Sequence, residues 1–200
     1  MHLLLLIVWT TIAALLRFAN LEPKPLWADE FSTLVFSLGN SYRTIPLDRI
    51  LSWQELLHPL QPTPQASVAT VVQHLFSESN HPPLYFIVSH LWLKLFPATS
   101  AGFVSVWAAR SLSAWLGVAA VPAMFGLGWV AFRSRLIAHL SALLMALSPF
   151  GVYLAQEARH YTLAVLWIVA SLSCLVIFAQ KIRSRQLIPL WLCLLWIAVS

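Results

Sequence analysis

The sequence has few charged residues, few glycines and few cysteines, and each scarcity excludes a class of protein. Charged residues make up 10% of the 200 residues, whereas 60% are hydrophobic. That is too little polar surface to cover a soluble domain of this size. The six glycines form no Gly-rich phosphate loop after a strand, so we expect no soluble nucleotide-sugar site. The scarcity of charged residues favours a protein that resides in a lipid bilayer.

The cysteines indicate neither a disulfide framework nor a zinc site, and the net charge does not indicate nucleic-acid binding. Cys174 and Cys193 lie inside apolar runs without CxxC spacing, so we expect neither a disulfide framework nor a zinc site. The formal net charge is +5, but basic residues cluster between apolar runs, where they report membrane orientation. We therefore expect a lipid bilayer and no nucleic acid as partner, and no cofactor. A divalent metal is an open alternative that the sequence does not support.

Apolar runs close to 20 residues long predict membrane-spanning helices. Residues 3–16 also fit a signal peptide, but no clean cleavage site follows before Arg17, which favours a retained helix. The last run is apolar to its final residue, so we expect the sequence to be the N-terminal part of a longer protein. The predicted spans are residues 3–19, 111–132, 136–155, 161–179 and 187–200.

Between the first two spans, residues 20–109 predict a long external loop with short juxtamembrane helices. Its segment 84–96 is apolar but short, and we expect an interfacial helix there. The basic turn at 133–135 and the basic cluster at 181–185 are then both cytosolic, as the positive-inside rule requires. If segment 84–96 spanned the membrane, both basic segments would lie at the external side instead. The fold class expected is an all-α, polytopic membrane helix bundle, with residues 1–200 in one transmembrane domain of the plasma membrane.

Two polar clusters of the predicted external loop have both a plain and a functional interpretation. Asp29 and Glu30 follow a proline-rich approach and begin a helix, where acids favour the helix dipole. A partly desolvated carboxylate there is alternatively a general base. His81 precedes Pro82 and Pro83, and it either caps the next helix or donates a hydrogen bond to a phosphate oxygen.

A third polar cluster stands at the predicted outer end of a span. It contains Glu157, Arg159, His160 and Tyr161. The arginine either extends to lipid headgroups or holds a phosphate whose charge grows as its bond to a sugar breaks. On a continuous helix, Glu157 and Tyr161 would share a face. We take all four residues as candidates for binding the donor phosphate or substrate.

In their order along the chain, these segments resemble the GT-C glycosyltransferases. The similarity is greatest to the protein mannosyltransferase and aminoarabinose transferase branch, glycosyltransferase family 39. It is carried by the acidic pair, by HPPLYF at 81–86 and by SPFGVYLAQEARHYTL at 148–163. The resemblance implies inverting transfer of a hexose or pentose from a polyprenyl-phosphate donor to a hydroxyl of a glycan, lipid or protein, at the external face. It implies a catalytic role for Asp29, with Glu30 as neighbour or substitute, and a donor-phosphate contact for His81.

The chain also departs from that pattern, and other functions stay open. Aminoarabinose transferases carry Glu-Lys before the prolines, whereas this chain has Asn80 and His81, so neither a lysine contact to the lipid phosphate nor a glutamate-based metal site is supported. A transporter of lipid-linked saccharides would use the same charges to bind a headgroup. A structural membrane subunit is the third alternative.

Overall fold

The computed structural model describes residues 2–46 and 48–181, and within them it contains α-helices, two short 3-10 turns and no β-strand. The predicted all-α fold class is therefore confirmed. The helices are α1 (His2–Phe18), α2 (Ala28–Ser37), α3 (Trp53–Leu57), α4 (Val68–Glu78), α5 (Leu84–Leu93), α6 (Val106–Phe132), α7 (Arg135–Leu147), α8 (Pro149–Ala155) and α9 (Tyr161–Lys181).

Two of these helices are long and apolar enough to cross a bilayer. They are α6, with 27 residues, and α9, with 21 residues. The bent pair of α7 and α8 makes a third if it counts as one span. Large apolar side chains on these helices are exposed, including Leu136, Leu144, Ile168 and Leu175, as expected of surfaces that face lipid. The chain is thus a membrane protein, and its predicted span 187–200 lies outside the described residues.

The run predicted as one span over 136–155 is broken in the middle. A bend of 56° separates α7 from α8. Pro149 has no N–H to continue the hydrogen-bond ladder, and Ser148 starts a new helix because its Oγ accepts from the N–H of Gly151 at 3.1 Å. The bend is a local consequence of the Ser-Pro pair. Of the other predicted spans, α6 begins at Val106 rather than at 111, and the span predicted over 3–19 corresponds to α1, which with 17 residues is a shorter apolar helix than α6 and α9.

One of two compact units, here called the bundle unit, contains most of the long helices. Its described residues are 2–19, 113–156 and 161–181. Within it, α1 packs against α7 and α8. The buried contact consists of small and β-branched residues, Ala13, Val121, Ala142 and Ala146. Small side chains let helix backbones approach closely, which is the usual basis of packing between helices in a membrane.

The other compact unit, here called the loop unit, contains residues 20–112 and 157–160. Its core joins α2 to α5 and to the first turns of α6, through residues such as Leu34, Leu93 and Ala108. A second cluster contains Phe36, Val71, Leu75 and Phe86. The segment predicted as an external loop therefore contains several helices, which make up about half of it, and has its own apolar core. That α5 lies along the membrane interface stays a prediction.

Candidate functional site

The loop unit contains every predicted site residue except Tyr161, which begins α9 in the bundle unit. Three contacts join the polar clusters within this unit, although the clusters are far apart in sequence. Arg159 contacts Asp29, the N–H of Ala158 donates to Glu30, and the ring of His160 lies near that of His81. Glu157 belongs to the same unit.

Glu30 is fully buried and forms a bidentate ion pair with Arg110. Nε of Arg110 donates to Oε1 of Glu30 at 2.8 Å, and Nη2 donates to Oε2 at 2.7 Å. The side chains are 2% and 1% exposed. Two parallel hydrogen bonds to a carboxylate are the strong, orienting form of this contact. The carboxylate of Glu30 is thus engaged by a structural partner, whereas the side chain of Asp29 is half exposed.

The ion pair also organises the backbone around it. Nη1 of Arg110 donates to the carbonyls of Leu21 at 2.6 Å and Lys24 at 2.9 Å. On the other side, Oε1 of Glu30 accepts from the N–H of Ala158 at 2.7 Å. One buried pair therefore connects the approach to α2, the first turns of α6 and segment 157–160. Its loss is expected to displace Arg159, the residue that follows Ala158.

Asp29 and Arg159 form the more open charged pair of the site. Nη2 of Arg159 lies 3.5 Å from Oδ2 of Asp29, and the two side chains are 7% and 50% exposed. Nη1 of Arg159 donates to the carbonyl of Asp29 at 3.1 Å and to Oγ1 of Thr33 at 2.8 Å. The arginine is thus held in place from one side. The half-exposed carboxylate beside it is accessible to a ligand.

Two histidines stand near this pair. The rings of His81 and His160 are 5.6 Å apart, and Oγ of Ser79 lies 2.8 Å from Nδ1 of His81. Burial lowers the pKa of His160, and the positive charges of Arg159 and His81 lower it further. His160 is therefore neutral at neutral pH, when it can both donate and accept a hydrogen bond.

The lowered pKa of His160 predicts how the stability of the protein depends on pH. Its folded-state pKa lies below the unfolded value near 6.5, so the unfolded chain binds the proton more readily. The stability that neutral His160 contributes is present above that unfolded value and is lost as the pH falls through the folded value. We expect the melting temperature to fall between pH 7.5 and 5, and to fall less in His160→Gln. An equal decrease in both proteins would show that His160 is not the group responsible.

The shared helix face predicted for Glu157 and Tyr161 is wrong. The helix α8 ends at Ala155 and α9 begins at Tyr161, and the residues between them form turns and bends. The carbonyl of Glu157 accepts from the N–H of Arg159 at 2.8 Å, a local contact that replaces a helical turn. Glu157 itself is buried in the loop unit.

Arg110 and Tyr42 belong to the site region but were not among the predicted site residues. Arg110 immediately precedes the predicted span 111–132, and an arginine at the start of a span is a signal that it needs a partner. Burial raises the pKa of Tyr42, and the nearby carboxylates of Asp29 and Glu78 raise it further, against the effect of a hydrogen bond with Ser32. Tyr42 therefore keeps its proton. No feature of the sequence singled it out.

Among residues 2–46 and 48–181, no group of three or more His, Cys, Asp or Glu side chains is placed to hold a metal ion. The charged residues of the site instead pair with one another. The expectation that the protein needs no cofactor stays a prediction.

A known protein family matches the part of the chain that contains Arg159, the arginine on the segment before α9. The family of dolichyl-phosphate-mannose-protein mannosyltransferases matches residues 85–200. The chain belongs to this family. The predicted GT-C resemblance is thereby confirmed, and membership indicates a membrane glycosyltransferase that uses a polyprenyl-phosphate-linked sugar as donor. No curated protein and no solved structure matches the chain.

Proposed function

We propose that this mannosyltransferase-family protein transfers a sugar, with inversion, to an acceptor hydroxyl at the external face of the plasma membrane. The observation that carries the proposal is the contact between the half-exposed carboxylate of Asp29 and the buried guanidinium of Arg159. A base and a cation placed side by side suit a reaction that releases a proton at one oxygen and develops negative charge at another.

In the proposed reaction, Asp29 accepts the proton of the acceptor hydroxyl as its oxygen attacks the anomeric carbon. The new bond joins that oxygen to the sugar, and the bond between the sugar and the lipid phosphate breaks. The lipid phosphate leaves with the electron pair, and Arg159 stabilises its charge. Glu30 acts as a positioning residue, because its carboxylate is engaged by Arg110 and by the N–H of Ala158.

The histidines are proposed to complete the donor side. His81 lies beside His160, which is next to Arg159 in the chain. An imidazole N–H can donate a hydrogen bond to a phosphate oxygen. A contact from Glu157 or Tyr161 to the substrate stays a prediction.

The external face is supported by the distribution of basic residues. Arg133 and Arg135 lie at the short turn between α6 and α7, and short basic turns favour the cytosolic side. The start of α6 then lies at the external side, and with it the loop unit. A protein, lipid or glycan acceptor is compatible with this placement. No feature of residues 2–46 and 48–181 favours a transporter.

Replacement of Arg159 tests the proposed function. In detergent, where no two compartments exist and transport cannot register, the wild-type protein should release lipid phosphate and glycosylated acceptor from a polyprenyl-phosphate hexose. Arg159→Gln should lower kcat/KM about 100-fold, because one charge-assisted contact to the leaving phosphate is lost. Arg159→Lys should recover part of the lost kcat/KM, because lysine keeps the positive charge but cannot donate two parallel hydrogen bonds.

The matched control is Arg49→Gln in the same unit, whose arginine pairs with Glu55 at the exposed surface. It should transfer sugar at the wild-type rate. If Arg159→Gln also keeps the wild-type rate, the proposed donor site is wrong.

A further inference from the structure

A cavity of about 140 Å³ in the bundle unit is lined by a buried arginine. Arg17, near the end of α1, is 1% exposed. The side chain donates to three backbone carbonyls, those of Met145 at 2.8 Å, Ala146 at 3.0 Å and Ala13 at 3.4 Å. In the part of the chain that the structure describes, no carboxylate lies within ion-pair distance of it and its Nε has no hydrogen-bond acceptor. The guanidinium is therefore buried without a counter-charge from any residue that the structure describes.

Capping of a helix end explains only part of this arrangement. In a continuous helix, the carbonyl of Met145 would accept a hydrogen bond from the N–H of residue 149. Pro149 has no N–H, so Arg17 donates to this carbonyl instead. Carbonyl dipoles offset a guanidinium charge incompletely, however. A buried charge in a membrane helix is costly unless it is paired, and such residues commonly bind something.

A second polar group of the cavity also lacks a hydrogen-bond partner among residues 2–46 and 48–181. Thr162 lines the cavity in the first turn of α9 and is 4% exposed. Among the described residues, none forms a hydrogen bond with its Oγ1. The start of α9 adds the positive end of a helix dipole to the same cavity. Arginine, hydroxyl and helix end all favour a negatively charged oxygen.

The chain makes room for the arginine at Gly117. A Cβ at this position would lie 3.0 Å from Nε of Arg17 and 2.7 Å from Cβ of Ala155. Only glycine allows this approach. The described residues that line the cavity include no aspartate or glutamate. The cavity volume is several times the roughly 30 Å³ that one water molecule occupies in the liquid.

We propose that Arg17 and Thr162 bind a phosphate oxyanion in the bundle unit, supplied by a lipid phosphate. The guanidinium supplies the charge and the Thr162 hydroxyl donates one hydrogen bond. The proposal does not depend on the transfer chemistry, because Asp29 and Arg159 take no part in this cavity. An inactive transferase would leave it intact.

The probe for this site is dodecyl phosphate, added to the purified protein in a non-ionic maltoside detergent. Binding is measured as the concentration-dependent rise in Tm. Dodecanol, with the same chain and no phosphate, should give no rise. Inorganic phosphate distinguishes the source: a rise with dodecyl phosphate alone indicates a lipid phosphate, and an equal rise with inorganic phosphate indicates a free-phosphate site and overturns the lipid assignment.

Two variants and a control assign the effect to the cavity. Thr162→Val keeps the shape and removes the hydroxyl, and should raise the apparent Kd for dodecyl phosphate about tenfold. Arg17→Gln should abolish the rise in Tm. Arg133→Gln removes an arginine from the end of α6, where it contacts Gln180, and should bind as the wild type does.

Arg17→Gln also loses the cap on α7 and is informative only if its far-UV circular dichroism matches that of the wild type. Thr162→Val keeps the test decisive if Arg17→Gln does not fold. Absence of any rise in the wild-type protein overturns the proposal. An unchanged Kd in Thr162→Val, with the fold retained, overturns the assigned hydroxyl contact and with it the site.

Discussion

Asp29→Asn should lower the rate of sugar transfer by about 100-fold to 10,000-fold, the usual contribution of a general base. The amide cannot accept the proton of the attacking hydroxyl. The fold should be retained, because the contacts of Asp29 that organise the site use its backbone carbonyl, which accepts from Thr33 at 2.8 Å and from Arg159 at 3.1 Å. The measurement is kcat with a polyprenyl-phosphate hexose and an acceptor, alongside the Tm of each protein.

The control for this prediction is Asp48→Asn, at an exposed aspartate of the same unit. It should keep wild-type turnover. Glu30→Gln provides the second comparison, and there we expect activity to fall together with Tm, because the charge of Arg110 loses its partner. Wild-type kcat in Asp29→Asn would remove Asp29 from the role of base.

Arg110→Gln should destabilise the loop unit by about 3–5 kcal/mol, the usual cost of removing one partner of a buried ion pair. The carboxylate of Glu30 would be left buried with only the N–H of Ala158. The carbonyls of Leu21 and Lys24 would lose their donor as well. The measurement is denaturant unfolding in detergent, with Trp fluorescence as the signal.

A double-mutant cycle separates the ion pair from the carbonyl contacts. The combination of Arg110→Gln and Glu30→Gln should cost less than the sum of the single variants, with a coupling of about 1–3 kcal/mol. The carbonyls of Leu21 and Lys24 lose the Arg110 donor in the double variant, as they do in Arg110→Gln. The stability of the double variant should therefore not return to that of the wild type. Strictly additive costs would mean that the two side chains do not stabilise each other.

Much of the fold follows from composition and from local sequence. Apolar runs predicted α1, α6 and α9 to within a few residues, because the bilayer allows only helices or closed barrels to cross it. The helix that Asp29 and Glu30 were predicted to begin is α2. The break at Ser148 was not predicted, although a Ser-Pro pair is a signal for it, because overall apolarity dominated the interpretation of residues 136–155.

The candidate site was predicted residue by residue only in part. Acidic, histidine and arginine motifs, in their order along the chain, predicted Asp29, His81 and Arg159 as site residues, and their roles stay predictions, whereas the family match supports the class of reaction. The sequence did not distinguish Asp29 from Glu30, since adjacent carboxylates look alike until their partners are known. The partner of Glu30 is Arg110, 80 residues away, and no local pattern reports such a pairing.

The sequence by itself determined that this protein is helical and resides in a membrane, because hydrophobicity and its spacing are local properties that the bilayer selects directly. Tertiary structure alone decided which carboxylate is buried in an ion pair and which is open, and which buried arginine finds no counter-charge among the described residues. Those outcomes depend on burial and on contacts between distant segments, and a charge acquires its role only when its neighbours in space are fixed.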